Sequence, residues 1–256
     1  MTVEEMHYEF TVRFNSQSSE QQKSYLIPEV DQLLNNAMDI FINSKVYPRF
    51  SQIGSAVEST NRIIDDLRTI ITTKNVHVNT VGDYGEIELD RLLQPDGITP
   101  LDVNLKYLIS AIAFVSCDGC NNNEPEEMQV NIFRHYDKTL NNTIYNTSYN
   151  WREIVAIIED NKLKLYLKDP NYTTNLICTN ANIKFIRKPL RICNGANFGT
   201  GYYLGSAFYN TTDDCELPEN THNEIVDLAV MLAARNVSSS TMQIKQQSLQ
   251  EQFTIN

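Results

Sequence analysis

Positive charge is scarce in this chain. Its 256 residues carry 21 Lys and Arg against 32 Asp and Glu, a formal net charge of −11. Tight binding along a phosphate backbone needs clustered cations, so the balance argues against it. It does not argue against a surface that nucleic acid slides past. The densest basic cluster, Arg187, Lys188 and Arg191, reads as a solvated strand end. Long apolar runs are missing as well: none approaches the roughly 20 residues of a membrane span. The first ten residues, MTVEEMHYEF, are acidic and hold no apolar signal-peptide core, so a soluble intracellular origin is expected. Cysteine is sparse and odd in number, at 117, 120, 178, 193 and 215. That argues against a disulfide framework. Cys117 and Cys120 form a lone CxxC, whereas a zinc site wants a second pair at suitable spacing.

Marks of catalysis are also lacking. The four histidines, His7, His77, His135 and His222, stand in no recognised ligand or relay spacing. The sequence holds no G-x-S-x-G and no GxxxxGK[ST]. GANFGTGYYLG (195–205) is Gly-rich but lacks the phosphate-loop spacing, and reads as a loop or bulged hairpin. Adjacent acid pairs, Asp65-Asp66 and Asp213-Asp214, point apart on any regular element. No cofactor, no metal and no enzymatic activity are expected.

Helical and strand patterns are plentiful. YLIPEVDQLLNNAMDIFI (25–42) carries the i, i+3, i+4, i+7 stripe Leu26, Val30, Leu33, Leu34, Ala37, Met38 and Phe41, with Ile27, Ile40 and Ile42 to its sides. At about 100° per residue this arc covers roughly 200°, wider than one core contact needs. Pro28 suits the first helical position, Lys45 its end, and Pro48 stops it. A second helix is expected over 55–72, with Val57, Ile63, Ile64, Leu67, Ile70 and Ile71 as its stripe. The period then shortens to two. Strands are expected around 76–81, 87–89, 106–116, 128–136 and 181–192, with Gly82-Asp83-Tyr84-Gly85 as a turn. The clearest hairpin is 152–169, where Leu163, Leu165 and Leu167 alternate with Lys164, Tyr166 and Lys168 after an Asp160-Asn161 turn. NNNEPEE (121–127) and TLNNTIYNTSYN (139–150) are polar loops. Near the end Thr221 and Glu224 fit a capping box. Ile225, Leu228, Ala229 and Leu232 follow as the helix stripe, widened by Val226, Val230 and Ala233. The last nineteen residues hold five Gln and only Met242, Ile244, Leu249, Phe253 and Ile255 as large apolar side chains. Such a tail cannot bury enough surface to fold alone, and its anchors suit docking.

The expected fold class is α+β, a helical bundle with an inserted antiparallel β-rich domain and an extended C-terminal arm. Its parts are 1–74 (helical), 75–216 (β-rich), 217–237 (closing helix) and 238–256 (arm). Four segments in this order carry a resemblance: MHYEFTVRFN leading into YLIPEVDQLLNNAMDIFINSKVY, then LQPDGITPLDVNLKYLISAIAFVS, then WREIVAIIEDNKLKLYLKDPN with ANIKFIRKPLRI, and finally LPENTHNEIVDLAVMLAARNV. Together they resemble the head-to-tail connector proteins of tailed bacteriophages, the portal adaptors, and within them the ring proteins of crAss-like phages. Gln94 between Leu93 and Pro95 departs from that pattern. The resemblance implies a virion structural protein at the neck, made in the host cytoplasm. It implies a homo-oligomeric, typically dodecameric, ring that joins the portal protein to neighbouring tail or ring proteins. Genomic DNA would pass through without specific binding, and no membrane is involved. The arm would clasp the portal or adjacent subunits through Met242, Ile244, Leu249, Phe253 and Ile255. A ring interface needs apolar surface beyond the subunit's own core, and Ile27, Met38, Ile40 and Ile42 are the candidates to meet either the adjacent subunit or the inserted β-rich domain. The alternatives are another neck or tail component, such as a tail hub, and a hydrolase or metal-binding protein.

Overall fold

A computed structural model of the chain describes residues 1–17, 25–46, 65–101, 104–117, 125–133, 146–169, 176–195 and 212–235. The chain is mixed α and β and divides into two units, one from Met1–Ile70 with Pro189–Asn256, the other from Ile71–Lys188. The divisions fall before the expected 74/75 boundary and well before 216/217. The arm at 238–256, the loop residues 139–145 and 196–211, and most of the helix expected over 55–72 lie outside the described residues.

The first unit holds α1 (Val3–Gln17), α2 (Ile27–Val46) and α3 (Glu219–Arg235), with the short strands β9 (Cys193–Asn194) and β10 (Thr212–Asp213). Helix α1 was not among the expected elements, yet its signals are local. The Thr2 hydroxyl accepts from the Glu5 N–H at 3.3 Å and the Glu5 carboxylate accepts from the Thr2 N–H at 2.9 Å, a reciprocal cap. Val3, Met6, Phe10 and Phe14 then recur every three or four residues, and all are buried. Phe10 and Phe14 stack at 5.9 Å, and Tyr25 meets both edge-on. Helix α3 packs against both α1 and α2, which accounts for its wide apolar face. It begins two residues before the expected Thr221 cap. Thr221 instead sits buried in the first turn and donates its hydroxyl to the Pro218 carbonyl at 2.7 Å. In α2, Glu29 reaches back to accept from the Leu26 N–H at 2.9 Å, closing the start of the helix. At its other end Lys45 lies 3.2 Å from Asp66 and 3.6 Å from Glu224. Residues 65–67 are helical and the chain turns at 68–70. The expected helix to 72 therefore stops early, because Ile71 and the β-branched Thr72 and Thr73 enter a strand.

The second unit is one sheet of eight strands: β1 (Ile71–His77), β2 (Asn79–Val81), β3 (Tyr84–Glu88), β4 (Leu105–Cys117), β5 (Glu126–Phe133), β6 (Glu153–Glu159), β7 (Lys162–Tyr166) and β8 (Leu176–Arg187). The spatial order is β1-β8-β4-β5-β6-β7-β3-β2. All neighbours are antiparallel except β5 and β6. The two terminal strands, β1 and β2, are one stretch of chain joined by Val78. The Val78 N–H donates to the Thr179 carbonyl at 2.8 Å and the Thr80 hydroxyl to the Cys178 carbonyl at 3.3 Å. Residues 71–81 thus curl the sheet onto itself, which covers edges that would otherwise invite pairing. Side chains alternate inward, as period two demands: Leu163, Leu165, Ile183, Phe185, Ala113 and Val115 are among the buried set. The β6–β7 hairpin turns at Asp160 (φ 46°) and Asn161 (φ 63°), both left-handed as a two-residue turn requires. Gly82 (φ 62°) does the same between β2 and β3. Gly85 is needed for space: a Cβ there would lie 2.5 Å from Val78 Cγ1.

Candidate docking surfaces

In the helical unit, α2 and α3 leave a surface groove of about 470 Å³ lined by Leu33, Asn36, Asp39, Ile40, Leu232 and Arg235. Ile40 is 41% exposed there, and Leu33 and Leu232 are half-buried. Arg235, one of the lining residues, is the last described residue before the arm. Of the residues expected to face a neighbouring subunit, Ile40 is at the surface and Ile27 half-buried. Met38 and Ile42 are buried at 2% and 0%. They belong to the unit's own core, so the expectation that they face a neighbour is corrected. The arm residues Met242, Ile244, Leu249, Phe253 and Ile255 lie outside the described residues.

A buried polar cluster fastens the short strand β9 to α2. His7 Nε2 lies 2.8 Å from Asp31 Oδ1, and Asp31 Oδ2 accepts from the Asn194 N–H at 3.2 Å. Asn35 accepts from the Ile192 N–H at 2.9 Å and donates to the Ile192 carbonyl at 2.8 Å. It was not legible beforehand, because Asp31 and Asn35 look like ordinary polar-face residues until their partner strand is placed. Cys193 stands close to Asp31, but burial first and that carboxylate second raise its thiol pKa. A nucleophilic cysteine needs the opposite shift. Burial likewise pushes Cys178 up to about 12 and Cys215 up to about 11. Cys117 is disulfide-bonded, contrary to the expectation from the odd cysteine count. Among the described residues no group of three His, Cys, Asp or Glu is placed to hold a metal ion.

In the β unit the lone tryptophan, Trp151, is 81% exposed on the turn before β6. The turn is firmly held. Tyr149 N–H donates to the fully buried Asp169 at 2.7 Å, Ser148 and Glu153 exchange backbone bonds, and Arg152 adopts φ 56°. Trp is a residue type that anchors interfaces, and a rigid base lowers the entropy cost of using it. The sequence signal was present in the NTSYNWR turn, a single Trp among polar turn residues. No described helix is long and apolar enough to cross a membrane. Compared with known proteins, the chain matches no family model and no curated protein.

Proposed function

We propose that this chain is a structural ring subunit at the portal–tail junction of a tailed bacteriophage, extending the DNA channel and joining portal to tail. The observation that carries the reading is the helical unit's construction from both ends of the chain, with an exposed apolar groove at the root of the C-terminal arm. A ring uses heterologous contacts, one face of a subunit meeting a different face of the next. Ile40 and its groove supply one such face, and the exposed Tyr8 and Val12, one turn apart on α1, supply another. The net charge of −11 suits a channel from which DNA phosphates are repelled rather than held. The helical bundle acts as the ring-forming body, and the arm at 238–256 reaches the portal or an adjacent subunit.

The test mixes the purified full chain with the matching portal oligomer and follows assembly by mass photometry and negative-stain microscopy. The expected outcome is a ring stacked on the portal, weakened by deletion of 238–256. A chain that stays apart from the portal, and whose behaviour the deletion leaves unchanged, sinks the proposal.

A further inference from the structure

We infer that the groove between α2 and α3 is occupied by the C-terminal arm of the same chain, with Met242 and Ile244 as its anchors. The inference goes beyond the ring reading and does not depend on it. It starts from what the groove lacks. Leu33, Ile40 and Leu232 leave apolar surface there that no described element covers, at a volume within the range of ligand pockets. The segment that follows needs such a surface. Past Arg235 the chain runs Asn-Val-Ser-Ser-Ser-Thr before Met242-Gln243-Ile244, so a polar, turn-prone linker precedes two apolar residues spaced by two. In an extended segment those side chains point the same way, about 7 Å apart. Leu33 to Ile40 spans about 10 Å along α2, by its rise per residue.

The geometry favours the chain's own arm over that of a second copy. Arg235 is itself part of the groove wall, so the tether starts at the site. Seven residues reach up to about 23–25 Å when extended, enough to reverse direction and still lie in the groove. So short a tether holds Met242 and Ile244 at an effective concentration on the order of millimolar, above any ordinary protein concentration. The sequence around the anchors agrees. Lys245, the first cation after Arg235, follows Ile244 directly, so the apolar stretch of the anchors is bounded by polar sequence on both sides. Docking of this kind sequesters the arm until a partner with greater affinity draws it out.

Lys245 also supplies the test, because it is the one tryptic site beyond Arg235. The full-length chain is treated with trypsin at several protein concentrations, and release of residues 246–256 is timed by mass spectrometry. Release is expected to be about tenfold faster in Ile40→Asp, and in the double variant Met242→Ser with Ile244→Ser, than in the unaltered chain. The rates should not depend on protein concentration. Ile158→Asp, an equally exposed change on the β unit, should leave the rate unchanged, and circular dichroism checks that every variant is folded. Equal rates in the unaltered chain and both groove-directed variants overturn the inference. So does protection that grows with protein concentration, which assigns the groove to a second copy. Assembly on the portal is read separately, so the ring proposal and this one can fail independently.

Discussion

Replacing Gly85 with Ala tests how the sheet closes. Gly85 is buried in β3, opposite Thr80 on one side and Leu165 on the other. A Cβ built there meets Val78 Cγ1 at 2.5 Å, Leu167 Cδ1 at 3.5 Å and Leu165 Cβ at 3.8 Å. Only the first is a clash, and about 1 Å of movement must relieve it. Val78 cannot swing aside, because it is β-branched and 2% exposed. It is also the residue that joins β1 to β2 and bonds to Thr179. The movement therefore falls on the backbone at the closure, at an overpacking cost of about 1–3 kcal/mol. Val78→Ala alone removes two buried methyl groups and is costly by itself, on the order of 1–3 kcal/mol. Together the two changes move volume from one side of the contact to the other. The double variant should then be more stable than the sum of the single losses by roughly 1–2 kcal/mol. Urea unfolding of the four proteins, with hydrogen exchange to assign the transition to the β unit, measures the cycle. Losses that add to within about 0.5 kcal/mol would refute the claim that Gly85 is kept small by Val78.

Three other outcomes follow from contacts within one unit. Asn35→Ala strands the N–H and carbonyl of buried Ile192 and should destabilise the helical unit by about 2–4 kcal/mol in denaturant. Asn35→Asp should not rescue it, since its second oxygen would face the Asp31 and Ile192 carbonyls. Cys178 and Cys215 should resist iodoacetamide in the native protein at pH of about 8 and react once it is unfolded, as read by mass spectrometry. The same raised thiol pKa fixes a sign: the unfolded Cys178 ionises near 9.0 and the folded one only at about 12, so its contribution to stability is complete below the first value and declines as pH rises toward the second. Trp151→Ala should change stability by less than about 0.5 kcal/mol, because the side chain is exposed. If the turn docks on a partner, the same change should weaken binding by at least about 1 kcal/mol in a titration.

What the sequence disclosed followed the range of the forces involved. The 152–169 hairpin was legible because its turn residues and its Leu163, Leu165, Leu167 alternation are local. The curling of the sheet was not, because it depends on Val78 meeting Thr179, a contact between distant segments. Helix α1 was legible in principle, through Thr2, Glu5 and the stripe from Val3 to Phe14. Its stripe is narrow and its first turn acidic, so it passed for a lead into the next helix. The polar cluster at His7, Asp31 and Asn35 was hidden for a different reason. A buried polar side chain looks like a surface one until the group that satisfies it is located. The groove was half legible: Ile40 stood out as a flank of the apolar arc, while Leu33 and Leu232 were assigned to the core stripes.

The breadth of the apolar faces on α2 and α3 is also reallocated. An arc of roughly 200° suggested surface left over for a neighbouring subunit. Most of it is spent inside the unit. Helix α3 lies against both α1 and α2, and α2 also touches β9, so Met38 and Ile42 have partners without a second copy. A wide apolar helix face is therefore no measure of oligomerisation when the chain supplies two packing partners of its own. The discriminating quantity is what stays exposed after those contacts are made. Among the described residues of this unit, Leu26 and Leu190 stay exposed singly, Ile40 stays exposed with its groove, and Tyr8 stays exposed with Val12 one turn along α1. A symmetric dimer would bury one patch against itself, whereas a ring needs two unlike patches to meet. The groove at Ile40 and the patch of Tyr8 with Val12 are unlike, which suits the second arrangement rather than the first.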